Sequence, residues 1–219
     1  KLHSSGSKRA EGKFYKALYH LYEDFFFLLK MNCNNKNILD YGCGIGSYTN
    51  KVLEFEPKKI TAIDISEKAI SIAKENISQK NINVNYSVEN CENTKLGSNE
   101  FDLIYGAGIL HHLNLEKSLK EISRILKKNG SIIFIEPLGT NPFINLYRKL
   151  TPNSRSDDEH PFSFKDLKYL KGIFKNVKID YYGFFTLLFL PFYKSPENSK
   201  IFYFVSKIDK LFLKIPFFK

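Results

Sequence analysis

The sequence predicts an α/β fold built on a doubly wound, mostly parallel, Rossmann-like sheet of six or seven strands. From residue 37 onward, short β-branched segments alternate with segments of helical apolar spacing, and the right-handed crossover rule makes such strands parallel. The first strand, Ile38–Asp40, runs into glycines at alternate positions, Gly42, Gly44 and Gly46, directly before a helical pattern. An N-terminal helical cover and a helical, aromatic C-terminal segment complete the expected architecture.

Length and composition favour one domain over residues 8–219, because a chain of 219 residues can bury a sizeable core. Three widely spaced cysteines are typical of a reducing compartment, so we expect a cytoplasmic protein. The longest apolar run, Phe184–Phe192, falls far short of the roughly 20 residues that span a bilayer. Residues 1–7 are typical of a tag or a polar lead-in.

The predicted elements follow one another in a regular order. An aromatic helix over 14–30 precedes the first strand, as core packing or as a cover for a ligand. The later strands are predicted at Lys59–Asp64, Ile82–Val88, Phe101–Tyr105, Ser131–Glu136 and Val177–Tyr182, with Phe184–Leu190 as a candidate closing strand; helices are predicted at Glu116–Lys128 and after a capping box at Ser163–Asp166.

The glycine loop indicates a nucleotide-type cofactor. Glycine is required where the backbone takes positive φ or lies against a ligand, and the N–H groups of the following helix face that ligand. A dinucleotide fingerprint, GxGxxG, cradles a pyrophosphate. Here the spacing is GxGxG behind Asp40, and an acid in that place repels pyrophosphate and suits a cationic amino-acid group. Glycine turns also occur without any cofactor, so other motifs must decide.

Those motifs stand at the ends of the next strands. Asp64 ends the second strand 18 residues after Gly46, where a carboxylate can accept hydrogen bonds from both ribose hydroxyls. Ile65 follows it, and Ser66 is the predicted N-cap of the next helix. The third strand leads into Asn90–Glu92. The fourth leads through Gly106–Ile109 into a Leu-His-His-Leu segment, Leu110–Leu113.

From Ile38 to Pro137 the chain resembles the class I S-adenosylmethionine-dependent methyltransferases, in particular the type 11 group that includes quinone and sterol methyltransferases. The resemblance implies S-adenosyl-L-methionine as the cofactor, with the glycines against its methionine and ribose portions. Asn90 takes the place of an acid that commonly contacts the adenine amino group, and an amide oxygen can also accept that bond. The implied cofactor-binding residues are Asp40, Gly42, Cys43, Gly44, Gly46, Asp64, Ile65, Asn90, Cys91 and Gly106, the two cysteines as small packing residues near the cofactor.

The candidate substrate loop is the connection 138–162. Tyr147, Arg148 and Arg155 are its candidate acceptor contacts, because guanidinium groups fork onto a carboxylate or phosphate. The open alternative is that the arginines pair with Asp157–Glu159 and hold the loop.

Three histidines are candidate catalytic residues. His160 is one of them, because histidine as a residue type suits a base at neutral pH. His111 and His112 follow the fourth strand, and for these two a structural role stays open. Carboxylates for a metal-assisted transfer are missing after the fourth strand, so no metal is expected.

The net charge of +10 is concentrated at the C-terminus, where Ser163–Lys219 carries eleven lysines and four acids. Apolar residues recur at helical spacing between Ile201 and Phe212, with lysines elsewhere on the wheel. We expect an amphipathic helix docked on the domain with a solvated lysine face; contact with a membrane surface is the alternative. Nucleic acid is disfavoured, since the lysines lack clustered arginines and Gly106–Ile109 lacks the motif of base-amine methyltransferases.

The function favoured by the sequence is S-adenosylmethionine-dependent O-methylation of a small molecule that carries a negative group. One alternative is C- or O-methylation of an isoprenoid or lipid at a membrane surface. Another is a cofactor-binding regulatory scaffold without catalysis. The sequence does not specify the oligomeric state.

Overall fold

The structure is a computed structural model. The chain divides into two compact units, a sheet unit and a helical unit. The expected single domain over 8–219 stays a prediction. The structure describes residues 17–77, 83–139, 145, 160–189 and 199–213; the sheet unit comprises Phe25–Leu138 and Asp158–Lys175, and the helical unit Lys1–Asp24, Gly139–Asp157 and Asn176–Lys219.

Helices and strands alternate through the sheet unit, as predicted. The strands are β1 (Asn37–Tyr41), β2 (Lys59–Asp64), β3 (Val84–Val88), β4 (Phe101–Ala107) and β5 (Leu126–Ile135). The helices are α1 (Tyr19–Cys33), α2 (Ser47–Leu53), α3 (Glu67–Glu75), α4 (Leu115–Ile125), α5 (Phe164–Ile173), α6 (Phe185–Phe189) and α7 (Lys200–Phe212), with a 3₁₀ turn at Leu110–His112.

All described strand pairs are parallel, and the sheet order is β3-β2-β1-β4-β5. Chain order reverses at β1, which lies between β2 and β4. The carboxyl ends of β1 and β4 therefore flank the topological switch point, where open α/β sheets bind ligands. The doubly wound class is confirmed.

The core lies on both faces of the sheet. Alternate residues of a strand point to opposite faces, and on β1 Ile38 packs with Leu29 of α1 while Leu39 packs with Ile122 of α4. Burying one Ile or Leu side chain contributes about 1.5–3 kcal/mol. This two-sided burial explains why β1 and β4 are nearly continuous apolar segments.

The structure confirms two helix starts that the sequence predicted. Ser66 accepts the Ala69 N–H at the start of α3. Ser163 and Asp166 form a complete capping box at the start of α5. Both devices join residues three apart, so a local pattern suffices to detect them.

Two predictions of strands are wrong. Within the described residues, Val177–Tyr182 joins no sheet, which therefore has five strands rather than six or seven. Phe184–Leu190, the candidate closing strand, instead contains α6. The carboxylate of Asp209 accepts the N–H groups of Phe185 and Thr186 and the Thr186 hydroxyl, and so caps α6 at its first turn. A short apolar run does not distinguish strand from helix by periodicity, and the deciding cap lies 23 residues away.

The C-terminal helix α7 forms as predicted, but its packing differs from the prediction. The side chains of α7 that are buried are those of Phe202, Ser206 and Asp209. The apolar stripe that the spacing suggested as the docked face is largely exposed. Four of its six residues are 40% exposed or more: Ile201, Phe204, Ile208 and Leu211. The other two, Val205 and Phe212, are half-buried, and the ring of Phe212 lies 5.0 Å from that of Phe185.

Candidate cofactor and acceptor site

The loop after β1 has the backbone geometry predicted for it. Gly42, Gly44 and Gly46 all have positive φ, at 79°, 51° and 80°. At Gly44, a Cβ would meet no protein atom within 4 Å. The backbone therefore borders open space at Gly44, as required where it must lie against a ligand.

Asp64 fixes this loop from the end of β2. Its Oδ2 accepts the Gly44 N–H at 2.9 Å, and its Oδ1 accepts the Ser66 N–H at 2.9 Å. Each carboxylate oxygen keeps further acceptor capacity, since an ionised carboxylate has about four acceptor positions. One side chain thus holds the glycine loop in place and can still receive ribose hydroxyls.

Asp40 lies buried beneath the loop, with 2% of its surface exposed. Its Oδ2 accepts the Thr49 hydroxyl at 2.6 Å and the Tyr105 hydroxyl at 2.7 Å. Burial is the main cause that raises the pKa of this carboxyl, to about 6; the charge of Asp64 adds to the rise, and the two hydroxyl donors act against it. A carboxyl in this state gains its charge close to neutral pH and would favour a neighbouring cation.

Cys43 and Cys91 are buried. Burial raises the pKa of the Cys43 thiol, and it raises the pKa of the Cys91 thiol to about 12. Both thiols are therefore protonated at neutral pH and unsuited as nucleophiles. Their burial agrees with the packing role expected for them.

Exposed apolar side chains lie at the carboxyl ends of the strands, beside the glycine loop. Ile65 follows β2 and is 71% exposed, Val88 ends β3 and is 46% exposed, and Ile45 of the glycine loop is 47% exposed. Such residues at a strand edge are suited to a planar apolar group such as adenine. Asn90 lies beyond them, where its Oδ1 accepts the Glu92 N–H at 2.9 Å and has a second lone pair.

Close packing joins the glycine loop to the end of β4. A Cβ on Gly42 would lie 2.5 Å from Cγ1 of Ile109, so the side chain of Ile109 lies directly on the loop. At Gly106 a Cβ would lie 2.6 Å from the Phe134 ring and 2.8 Å from the Tyr41 carbonyl oxygen. The glycine at 106 is thus required by packing, and its contact with a cofactor stays a prediction.

A histidine and a carboxylate form a pair immediately beyond Ile109. Nδ1 of His111 lies 2.8 Å from Oε2 of Glu136, and both side chains are nearly buried. Glu136 also accepts the backbone N–H groups of Ile109 and Leu110 at 3.0 and 2.8 Å, and that of His111 at 3.3 Å. Because an ionised carboxylate can only accept, Nδ1 of His111 is the donor in this pair, and the orientation of the ring is fixed. The sequence analysis did not detect this role of Glu136, because the partners are 25 residues apart.

The other two histidines lie close to this pair. The ring of His112 lies against that of His111, with centroids 4.0 Å apart and the planes tilted by 39°. His160 donates its backbone N–H to the His111 carbonyl at 2.7 Å, and its own side chain is exposed. The three predicted catalytic histidines are therefore brought together at the end of β4. Tyr147, Arg148 and Arg155 lie outside the described residues.

Among the described residues, no cluster of three or more His, Cys, Asp or Glu side chains is arranged to hold a metal ion.

A doubly wound sheet with a glycine loop after β1 and an acid after β2 defines the nucleotide-cofactor-binding α/β proteins. Residues 39–134 match the family described as "Methyltransferase domain". S-adenosyl-L-methionine is the cofactor of this family, and the open cradle at Gly44 with the acceptor Asp64 fits it.

Relatives with named activities match the same part. A ubiquinone biosynthesis O-methyltransferase of Coxiella burnetii is 27% identical over 106 residues, which are 48% of this chain and 45% of the relative. A sterol 4-C-methyltransferase of Caenorhabditis elegans is 27% identical over 142 residues, 64% of this chain and 39% of the relative. This chain thus spans less than half the length of these relatives.

The fold also matches solved structures. Haemonchus contortus phosphoethanolamine N-methyltransferase 2, solved in complex with S-adenosyl-L-methionine, superposes with a TM-score of 0.58. The match covers 69% of this chain and 36% of that one at 16% identity. It supports the methyltransferase fold alone.

Asp64 is the first position to test. We expect Asp64→Ala to weaken S-adenosylmethionine binding by about 1.5–3 kcal/mol, because charged hydrogen bonds to the ribose are lost. Since Asp64 also holds Gly44, calorimetry should compare the cofactor with its 2′-deoxy analogue. Removal of the hydroxyl should weaken binding to the wild type and have little effect in Asp64→Ala. Equal losses in both proteins would show that Asp64 acts on the loop only.

Gly44 is the second position. Gly44→Val should abolish cofactor binding, because a β-branched residue is strained at φ 51° and its side chain enters the open cradle. Gly172→Val is the matched control, since a Cβ there also meets nothing within 4 Å and φ is ordinary. A folded Gly44→Val protein that binds the cofactor as well as the control would contradict the predicted site.

The pH dependence of binding tests Asp40. Its folded pKa of about 6 exceeds the ordinary value of 3.8, so its contribution to stability is lost as pH rises through 6. A bound cation favours the carboxylate, so cofactor affinity should rise by about tenfold between pH 5 and pH 7. The Asp40→Asn protein should bind the cofactor with little pH dependence between pH 5 and pH 7. Its folding stability should also no longer fall as pH rises through 6. A wild type with pH-independent affinity would exclude Asp40 as a partner of the cation.

Proposed function

We propose that this chain is an S-adenosylmethionine-dependent methyltransferase that methylates an oxygen atom of a small-molecule acceptor. The observation that carries the proposal is the adjacency of two features at one edge of the sheet. The glycine loop held by Asp64 and the His111–Glu136 pair flank the switch point and are joined through Ile109. One feature suits a cofactor and the other suits removal of a proton.

The residues around the loop would hold the cofactor in distinct ways. Asp64 would receive the ribose hydroxyls, Ile65 would cover the adenine, and the carboxylate of Asp40 would favour the cationic part. When bound, S-adenosylmethionine supplies an activated methyl group, so the protein must mainly position the acceptor and accept its proton.

His111 is the residue best placed to accept that proton. Glu136 holds Nδ1 as a donor, and this leaves the Nε2 lone pair to accept from a hydroxyl. The carboxylate also stabilises the imidazolium that proton transfer creates. The sequence favours His160 as the base, with His112 and His111 as alternatives, but the described residues show no carboxylate that orients the ring of His160.

The acceptor class rests on two further considerations. The relatives named as ubiquinone biosynthesis O-methyltransferases favour an oxygen acceptor of quinone type. Arg148 and Arg155, which are known here only from the sequence, favour an acceptor with a carboxylate or phosphate. Together they favour a hydroxylated aromatic acid as the acceptor.

A turnover experiment separates this function from the alternatives. The full chain would be incubated with methyl-labelled S-adenosylmethionine and a panel of phenols, catechols and hydroxybenzoates, some with short isoprenoid chains. Mass spectrometry should locate the methyl group on oxygen. A methyl group on carbon would favour the isoprenoid or sterol chemistry of the second relative. Cofactor binding without turnover on any acceptor would favour the regulatory scaffold.

The catalytic base can be tested by an isosteric change. His111→Asn keeps a donor at the Nδ1 position for Glu136 and removes Nε2, so turnover should fall by about 10²–10⁴ fold with cofactor affinity unchanged. His160→Ala and His112→Ala are the matched controls and should retain most of the turnover. If His160→Ala has the large effect and His111→Asn has none, the base belongs to the substrate loop instead.

A further inference from the structure

Helix α7 presents two different faces. Phe202, Ser206 and Asp209 are buried within the helical unit. The opposite side exposes four large apolar side chains, which no described part of the helical unit covers. Their exposed fractions are 65% for Ile201, 63% for Phe204, 40% for Ile208 and 72% for Leu211.

Polar contacts on the buried side fix the rotation of this helix. The hydroxyl of Ser206 lies 2.9 Å from Nε2 of His20 and 3.3 Å from the Tyr19 hydroxyl. Asp209 caps α6 through Phe185 and Thr186. Turning the helix to bury its apolar stripe would leave the Asp209 carboxylate and its donors unpaired, which is unfavourable for buried polar groups. The exposed stripe is thus a stable feature of the unit.

A row of basic and aromatic residues borders the stripe. Lys200, Tyr203, Lys207 and Lys210 recur at intervals of three and four residues and share one side of the helix. Nζ of Lys207 lies 4.5 Å from the centroid of the Tyr203 ring. The helix contains one acid, Asp209, and that residue is buried. Lys210 pairs with Asp24 of α1 at 2.9 Å, which offsets its charge. The side chains that α7 itself exposes are apolar, aromatic or cationic.

We propose that this surface, the α7 surface, docks on an anionic lipid bilayer. An interfacial helix places its apolar side chains at the boundary between head groups and acyl chains, and its lysines among anionic head groups. The charge of the surface selects this occupant over a second copy of the chain, because a symmetric contact would bring two cationic surfaces together.

The helix would lie in the plane of the interface. It has 13 residues, whereas a spanning helix needs roughly 20. Within the described part of the chain, no helix is both long and apolar enough to cross a membrane. The docking would not require methyl transfer, so its test does not depend on the proposed activity.

The test is sedimentation of the full chain with vesicles of phosphatidylglycerol and phosphatidylcholine, compared with vesicles of phosphatidylcholine alone. We expect binding to the anionic vesicles only, and weaker binding at high ionic strength. Phe204→Ser/Ile208→Ser should lower the partition coefficient by about tenfold or more. Lys200→Gln/Lys207→Gln should lower it by about 30-fold, from about 1 kcal/mol for each lysine near the surface.

Each variant has a matched control in the sheet unit. Phe27→Ser/Met31→Ser removes an exposed apolar pair at the same spacing, with exposures of 61% and 68%. Lys68→Gln/Lys74→Gln removes the same charge from exposed positions of α3. Circular dichroism and cofactor affinity should be unchanged in all four proteins, which shows that each is folded.

Three results would overturn the proposal. The first is wild-type binding no greater to anionic than to zwitterionic vesicles. The second is a loss in either control equal to that in the α7 variants. The third is self-association in sedimentation velocity that Phe204→Ser/Ile208→Ser abolishes, which would assign the α7 surface to a second copy.

Discussion

The carboxylate of Asp64 is the interaction on which the cofactor site depends. A backbone that takes positive φ at three glycines within five residues has little intrinsic preference for one conformation, since glycine loses more entropy on ordering than any other residue. Asp64 offsets that cost by accepting the Gly44 N–H, while its other oxygen accepts the Ser66 N–H at the start of α3. The same residue thereby connects two strand ends, and the loop is already shaped before a ligand arrives.

The parallel sheet then determines what can meet at this loop. Because β1 lies beside β4, the segment after β4 falls next to the glycine loop, and Ile109 fills the space that Gly42 leaves. Glu136, at the end of β5, accepts three backbone N–H groups of the turn and the ring of His111. A carboxylate with so many donors is expensive to remove and holds the histidine in one orientation. The strand order of the sheet thus places the candidate cofactor site beside the proposed proton acceptor.

The sequence predicts those features whose causes are local. The alternation of strands and helices, the cap at Ser66 and the capping box at Ser163 all depend on residues a few positions apart, and the structure confirms them. Pairings over long separations were missed, because no spacing rule relates Glu136 to His111 or Asp209 to Thr186. The predicted strand at Phe184–Leu190 failed for this reason. The cofactor contacts of Asp64 and its neighbours stay predictions, since they concern a molecule outside the chain.

Helix α7 shows how a correct secondary-structure prediction can still assign the wrong face to the core. Periodicity detects that apolar residues share one side, and the hydrophobic effect then places that side inward. In this helix the inward side carries Ser206 and Asp209, whose polar groups are satisfied by His20 and by the first turn of α6. Satisfied polar groups remove the penalty of burial, so the apolar side is left outward with Lys200 and Lys207 beside it. An apolar surface that the fold holds outward, within a cationic segment, indicates a partner that is apolar and negatively charged.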